Sequence, residues 1–119
     1  AYGAEQLYAL PEAGMLINVS NDGWFGDSIA PHQHLEIARM RSLELGRPAV
    51  RSTNTGISAF IGADGALLEV GEQHAAELMT RDIRAWRGAT PYVTFGNLPV
   101  IGLSVFILAA FWIRNRVRL

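Results

Sequence analysis

The chain has 119 residues, half of them hydrophobic, and a formal net charge of -1, enough for one modest domain. It contains no cysteine and no lysine, which excludes disulfides, thiolate metal sites and any cysteine- or lysine-centred chemistry carried by these residues themselves. All eleven carboxylates lie at or before Asp82, so residues 1–97 hold seven arginines against eleven acids, and this net negative surface offers no footprint for nucleic acid.

The chain opens on Ala1 without the basic, apolar and small-residue succession of a signal peptide, so it is expected to be a C-terminal piece of a larger protein. Met15-Leu16-Ile17-Asn18-Val19 is a short apolar run bounded by Gly14 and a polar cluster, as expected of a buried strand. A polar and aromatic loop follows, Ser20-Asn21-Asp22-Gly23-Trp24-Phe25-Gly26. Pro31 near a first helical turn, with Gly46 and Pro48 as stop signals, brackets a helix of about fifteen residues. Its apolar positions, Leu35, Ile37, Ala38, Met40, Leu43 and Leu45, do not form one clean stripe, so it is expected to be covered on more than one side. Glu36 has Arg39 three residues on, and Glu44 has Arg41 three before and Arg47 three after, spacings that suit structural ion pairs orienting the helix.

Ala49-Val50-Arg51-Ser52-Thr53 and Ile57-Ser58-Ala59-Phe60-Ile61 then read as strands joined through Asn54-Thr55-Gly56. Gly62-Ala63-Asp64-Gly65 is a tight turn into Ala66-Leu67-Leu68-Glu69-Val70, which completes a β-meander. Residues 76–83 are expected to supply one more strand, and residues 84–97 an irregular connection.

Between Gly88 and Ile113 no charged residue occurs. A helix from about Leu98 to Val117 would be about 30 Å long, the thickness of a bilayer's hydrocarbon core. Its Leu, Ile, Val and Phe side chains contribute roughly -3 to -6 kcal/mol of insertion tendency, partly offset by Pro99, Gly102 and Ser104. The competing reading is a buried core helix. Trp112 and the basic tail of Arg114, Arg116 and Arg118 stand where an interfacial anchor and snorkelling charges belong. Arg81, Arg84 and Arg87 balance that tail, so counting basic residues leaves the orientation open. The expected organisation is a partial domain over residues 1–87, a connection over 88–97 and a transmembrane helix over 98–117.

The central block supports few chemical readings. His32 and His34, two apart on a helix, point about 200° away from each other, and no third ligand fixes a metal geometry. Gly26-Asp27-Ser28-Ile29-Ala30 falls one residue short of a nucleophile elbow and is a coincidence. Trp24 and Phe25 beside Asn21 and Asp22 form either a cap on the core or a mixed surface for a ligand with a polar end and an apolar body.

Four segments, in order, resemble the C-terminal part of the bacterial apolipoprotein N-acyltransferase family. They are Asn18-Val19-Ser20-Asn21-Asp22-Gly23-Trp24-Phe25-Gly26, Pro31-His32-Gln33-His34, the run from Ala38-Arg39-Met40-Arg41 to Gly46-Arg47-Pro48, and Arg51-Ser52-Thr53-Asn54-Thr55-Gly56-Ile57-Ser58. Thr90-Pro91-Tyr92 and Gly96-Asn97 before the apolar segment fit the same family. More broadly the chain is similar to the nitrilase, or carbon-nitrogen hydrolase, superfamily.

The resemblance implies an α/β fold, the C-terminal part of a nitrilase-like α-β-β-α sandwich followed by one transmembrane helix. It implies transfer of an acyl chain from phospholipid to the α-amino group of a lipoprotein's diacylglyceryl-cysteine, through a Cys thioester supported by a Glu base and a Lys. None of that triad can be placed on this chain, so the catalytic residues are expected upstream and the piece alone is expected to be inactive, with no metal and no cofactor. Asn21, Asp22, Trp24, Phe25, Thr53 and Asn54 are expected to wall the substrate pocket. The implied partners are a phospholipid donor, an apolipoprotein acceptor and the bacterial inner membrane. The soluble part is expected in the periplasm, the arginine tail in the cytoplasm, and the protein as a monomer. Two other readings stay open: a membrane-tethered nitrilase-type amidase, and an interaction module without activity.

Overall fold

A computed structural model describes residues 12–26 and 28–116, without the side chain of Phe25. The expected domain start at residue 1, Asp27 of the elbow-like run, and the expected helix end at Val117 with Arg118 lie outside the described residues.

Strand β1, Leu16–Ser20, leads through a short 3-10 turn at Gly23–Phe25 into helix α1, Ala30–Leu45. Pro31 occupies the first turn, where its missing N–H is not needed. Gly46 ends the helix in the left-handed region at φ 60°, its N–H donating to the Leu43 carbonyl while the Arg47 N–H donates to that of Ser42. This double closure satisfies carbonyls that the helix itself cannot pair.

Strand β2, Ala49–Thr53, returns parallel to β1, with Leu16 opposite Ala49 and Ser20 opposite Thr53. Strands β3, Ala59–Ile61, and β4, Leu67–Val70, continue antiparallel, giving a four-stranded mixed sheet in the order β1-β2-β3-β4. The expected strand at Ile57 begins two residues later. Ile57 is buried instead, and its carbonyl is taken by a side chain.

Pro31, Leu35, Ala38, Ser42 and Leu45 form the one buried stripe of α1, spaced three and four apart. Leu35 and Ala38 pack with Ala49, Ile57, Ala59 and Ile61 on one face of the sheet. The expectation of cover on several sides is therefore met only in part. Ile37, Met40 and Leu43 are exposed, and one further contact is the turn at Gly65, where Arg39 Nε donates to the Gly65 carbonyl at 2.9 Å. The opposite face of the sheet is open, with Ile17 72% and Val19 79% exposed.

No strand forms over residues 76–83. This segment meets β4 through a side chain, Arg81 donating from Nη1 to the Leu68 carbonyl at 3.0 Å and lying 3.6 Å from Glu69, so that among the described residues the outer edge of β4 has no further ladder. The connection is less irregular than expected. Helix α2, Pro91–Phe95, is capped by Thr90, and helix α3, Leu98–Arg116, follows, with no buried residue along its length.

Candidate functional site

Because β1 and β2 run parallel, their carboxyl ends leave the sheet together, the place where ligands settle in open α/β sheets. A cavity of about 520 Å³ lies there, lined by Val19, Ser20, Asn21, Ser52, Thr53 and Asn54. A smaller one of about 190 Å³ shares Ser52, Thr53 and Asn54 with it and extends toward Glu72 and Glu77. Beside Val19, the larger cavity presents the amides and hydroxyls of Ser20, Asn21, Ser52, Thr53 and Asn54, suited to holding a polar group by hydrogen bonds; neither cavity is lined by a cysteine or a lysine.

Three of the six residues expected to wall a pocket, Asn21, Thr53 and Asn54, meet at the larger cavity. Thr53 is held by Ser58, whose Oγ accepts the Thr53 N–H at 3.0 Å, and Asn21 Oδ1 accepts the Gly23 N–H at 3.0 Å, which closes the loop on itself. Trp24 stands 86% exposed on that loop without lining the cavity. The Phe25 side chain lies outside the described residues.

Asp22 turns the other way. Its side chain is fully buried, and both oxygens are committed: Oδ1 to the Ser20 hydroxyl at 2.7 Å and His34 Nδ1 at 3.1 Å, Oδ2 to Arg51 Nη2 at 2.7 Å. Arg51 is equally buried and donates from Nη1 to Asn18 Oδ1 at 2.6 Å and from Nε to the Ile57 carbonyl at 3.2 Å. A buried ion pair persists only when such extra hydrogen bonds offset its desolvation. Burial alone would push the Asp22 carboxyl up; the hydrogen bonds from Ser20 and His34, with the charges of Arg51 and His34, outweigh it and hold the group below its ordinary value. Gly56 presses on the same carboxylate, since a Cβ there would stand 2.2 Å from Asp22 Oδ2. The position expected to face substrate is thus the one that ties its loop to the body.

Arg51 and His34 were not foreseen in this part. Arg51 did carry a signal: in Ala49-Val50-Arg51-Ser52-Thr53 it shares the inward parity of Ala49, so a charge was due to be buried and to require a carboxylate. Of the expected helix pairs, Arg39–Glu36 at 2.8 Å and Arg41–Glu44 at 2.7 Å form. Arg47 turns from Glu44 to backbone carbonyls, donating to Ala13 and Gly88 at 2.7 Å each.

A model of the carbon-nitrogen hydrolase family matches residues 4–92. The apolipoprotein N-acyltransferase of Methylococcus capsulatus is 46% identical over 115 residues, 97% of this chain and 23% of that protein. Those of Pasteurella multocida and Haemophilus influenzae are 47% and 50% identical, over 82% and 78% of this chain and 19% and 18% of their own lengths. The chain spans less than a quarter of the length of these relatives.

Proposed function

The chain belongs to the carbon-nitrogen hydrolase family, and from that premise we propose that it serves as the C-terminal part of an apolipoprotein N-acyltransferase. In this reading a cysteine thiolate outside these residues attacks the ester carbonyl of a phospholipid, expelling a lysophospholipid and forming a thioester. The α-amino group of a diacylglyceryl-cysteine then attacks that thioester, forming an amide and returning the thiol. A Glu base and a Lys facing the oxyanion, also outside these residues, serve both steps.

The observation that carries the reading is the likeness to a named acyltransferase along 97% of the chain, set on a cavity that can hold a substrate and is lined by no cysteine. Asn21, Thr53 and Asn54 would hold the polar part of the substrate, and Trp24 with Phe25 its apolar body. Asp22 contributes from behind, by holding the loop. The open sheet face with Ile17 and Val19 suits cover by the second sheet of an α-β-β-α sandwich. Helix α3 has 19 residues, about 28 Å, and is long and apolar enough to cross a bilayer. Arg116 lies over the Trp112 ring at 4.4 Å, a pairing suited to the membrane interface. The partial domain over 1–87 would face the periplasm, with the arginine-bearing end of α3 at the cytoplasmic side of the inner membrane.

The test is replacement. In cells depleted of their own acyltransferase, a chimera of the Methylococcus capsulatus relative is made in which this chain replaces the matched 115 residues. Mass spectrometry of cellular lipoproteins should show triacylated forms restored. Persistent diacylated forms beside a folded, membrane-inserted chimera would overturn the reading.

A further inference from the structure

The two rims of the 520 Å³ cavity are carried by irregular chain, Asn21 in the loop after β1 and Asn54 in the turn after β2. The backbone ladder between these strands stops at Ser20 opposite Thr53, so it does not set the distance between the rims. We propose that His34, Asp22 and Arg51 are positioning residues that set it. This inference rests on the acyltransferase reading for its kinetic consequence only.

Asp22 follows Asn21 directly, and Arg51 precedes Asn54 by three residues. Their 2.7 Å contact therefore clamps one rim to the other from beneath. Arg51 Nε spans the turn to the Ile57 carbonyl, and Gly56 leaves room for the Asp22 carboxylate to sit against the turn backbone. His34 adds the third support, from α1, by its contact with Asp22 Oδ1. Two hydrogen bonds to one oxygen, from Ser20 and His34, fix the rotation of the carboxyl group as well as its place. His34 is the practical handle on the cluster: its side chain is 29% exposed, whereas those of Asp22 and Arg51 are wholly buried. A shift of the rims by a fraction of an ångström changes how substrate is seated without removing any group that touches it.

The experiment uses the chimera with His34→Leu and with His34→Asn, the second keeping an N–H donor near the place of Nδ1. In His34→Leu, KM for the phospholipid donor should rise on the order of tenfold while kcat stays within about threefold. Hydrogen exchange in the peptide over residues 18–26 should quicken severalfold, with residues 98–116 unaffected. His34→Asn should restore both. Unchanged exchange and KM in His34→Leu would overturn the proposal, as would a His34→Asn variant as impaired as His34→Leu in both. If the parent chimera transfers no acyl group, the acyltransferase reading fails, and exchange alone decides whether the cluster positions the rims.

Discussion

The hydroxyl of Thr90 donates to the backbone carbonyl of Glu44, one of the last oxygens of α1, which its own helix leaves unpaired. Thr90 Oγ1 itself accepts the Val93 N–H at 3.1 Å and so caps α2. The Thr90 methyl fills the space a side chain at Gly46 would occupy, its carbon 2.9 Å from where a Cβ would stand. With Arg47 donating to the Gly88 carbonyl at 2.7 Å and Arg41 reaching the Tyr92 hydroxyl at 3.5 Å, the connection before α3 is fastened to the end of α1. Thr90→Val keeps the shape and loses both hydrogen bonds, so it should lower unfolding free energy by about 1–2 kcal/mol, and Thr90→Ser by less than half of that. Urea unfolding measures both. A larger loss in Thr90→Ser than in Thr90→Val would mean that the methyl, not the hydroxyl, makes the joint.

Asp22→Asn tests the buried pair. It leaves the guanidinium of Arg51 inside the protein without its counter-charge, and breaking such a pair from one side costs about 3–5 kcal/mol. Ser20→Ala removes one hydrogen bond to the same carboxylate and should cost about 1 kcal/mol. Chemical denaturation of the two variants should rank them in that order. A Ser20→Ala variant as damaged as Asp22→Asn would show that the charge pair is not what holds the cluster.

The lowered pKa of Asp22 has a definite sign in stability. Folded, the carboxyl titrates below its ordinary value of 3.8, so the unfolded chain binds its proton first as the pH falls. The stabilisation is fully present above the unfolded value and fades as the pH drops from about 4 through the folded value. Thermal unfolding followed from pH 6 down to pH 3 should show a steeper loss in the parent than in Asp22→Asn, which has no proton to bind there. Parallel curves would remove Asp22 from the acid response.

The elements were legible where punctuation and parity are local. Gly46 and Pro48 bound α1 to within a residue, and Asp64-Gly65 marked the β3–β4 turn, Asp64 Oδ1 accepting the Ala66 N–H at 3.0 Å. Helix α2 escaped notice although Thr90-Pro91 is a start signal, because five residues are too few to show a period. The segment over 76–83 is expected as a strand, but Arg81 reaches β4 by its side chain and no ladder forms there. At the site, Asn21 and Asn54 could be picked from their loops. The inward turn of Asp22 could not, because it depends on Arg51 and His34, 29 and 12 residues away, arriving at the same carboxylate.

Trp24 separates function from stability. At 86% exposure it adds little to the packed core, so Trp24→Ala should change unfolding free energy by less than about 0.5 kcal/mol. In the chimera, if its ring receives the apolar body of the substrate, the same change should lower acyl transfer per folded enzyme on the order of tenfold. Trp24→Phe should recover most of that loss. Transfer undiminished in Trp24→Ala would take the ring out of the pocket.

Helix α3 invites a test of what surrounds it, since every residue from Leu98 to Arg116 is exposed and no described element packs a core against it. Water would not leave Leu103, Phe106, Ile107 and Phe111 uncovered together without association, whereas acyl chains would accept them all. Ile107→Arg places a charge near the middle of the helix, which disfavours insertion by about 2.5–3.5 kcal/mol. Ser104→Leu works in the opposite direction: the Ser104 hydroxyl already returns its hydrogen bond to the Val100 carbonyl at 2.8 Å, so nothing is orphaned when it is removed. After alkaline carbonate extraction the parent and Ser104→Leu should stay with the membrane pellet, and Ile107→Arg should move measurably to the supernatant. Equal retention of all three would mean that α3 is covered by protein instead of lipid.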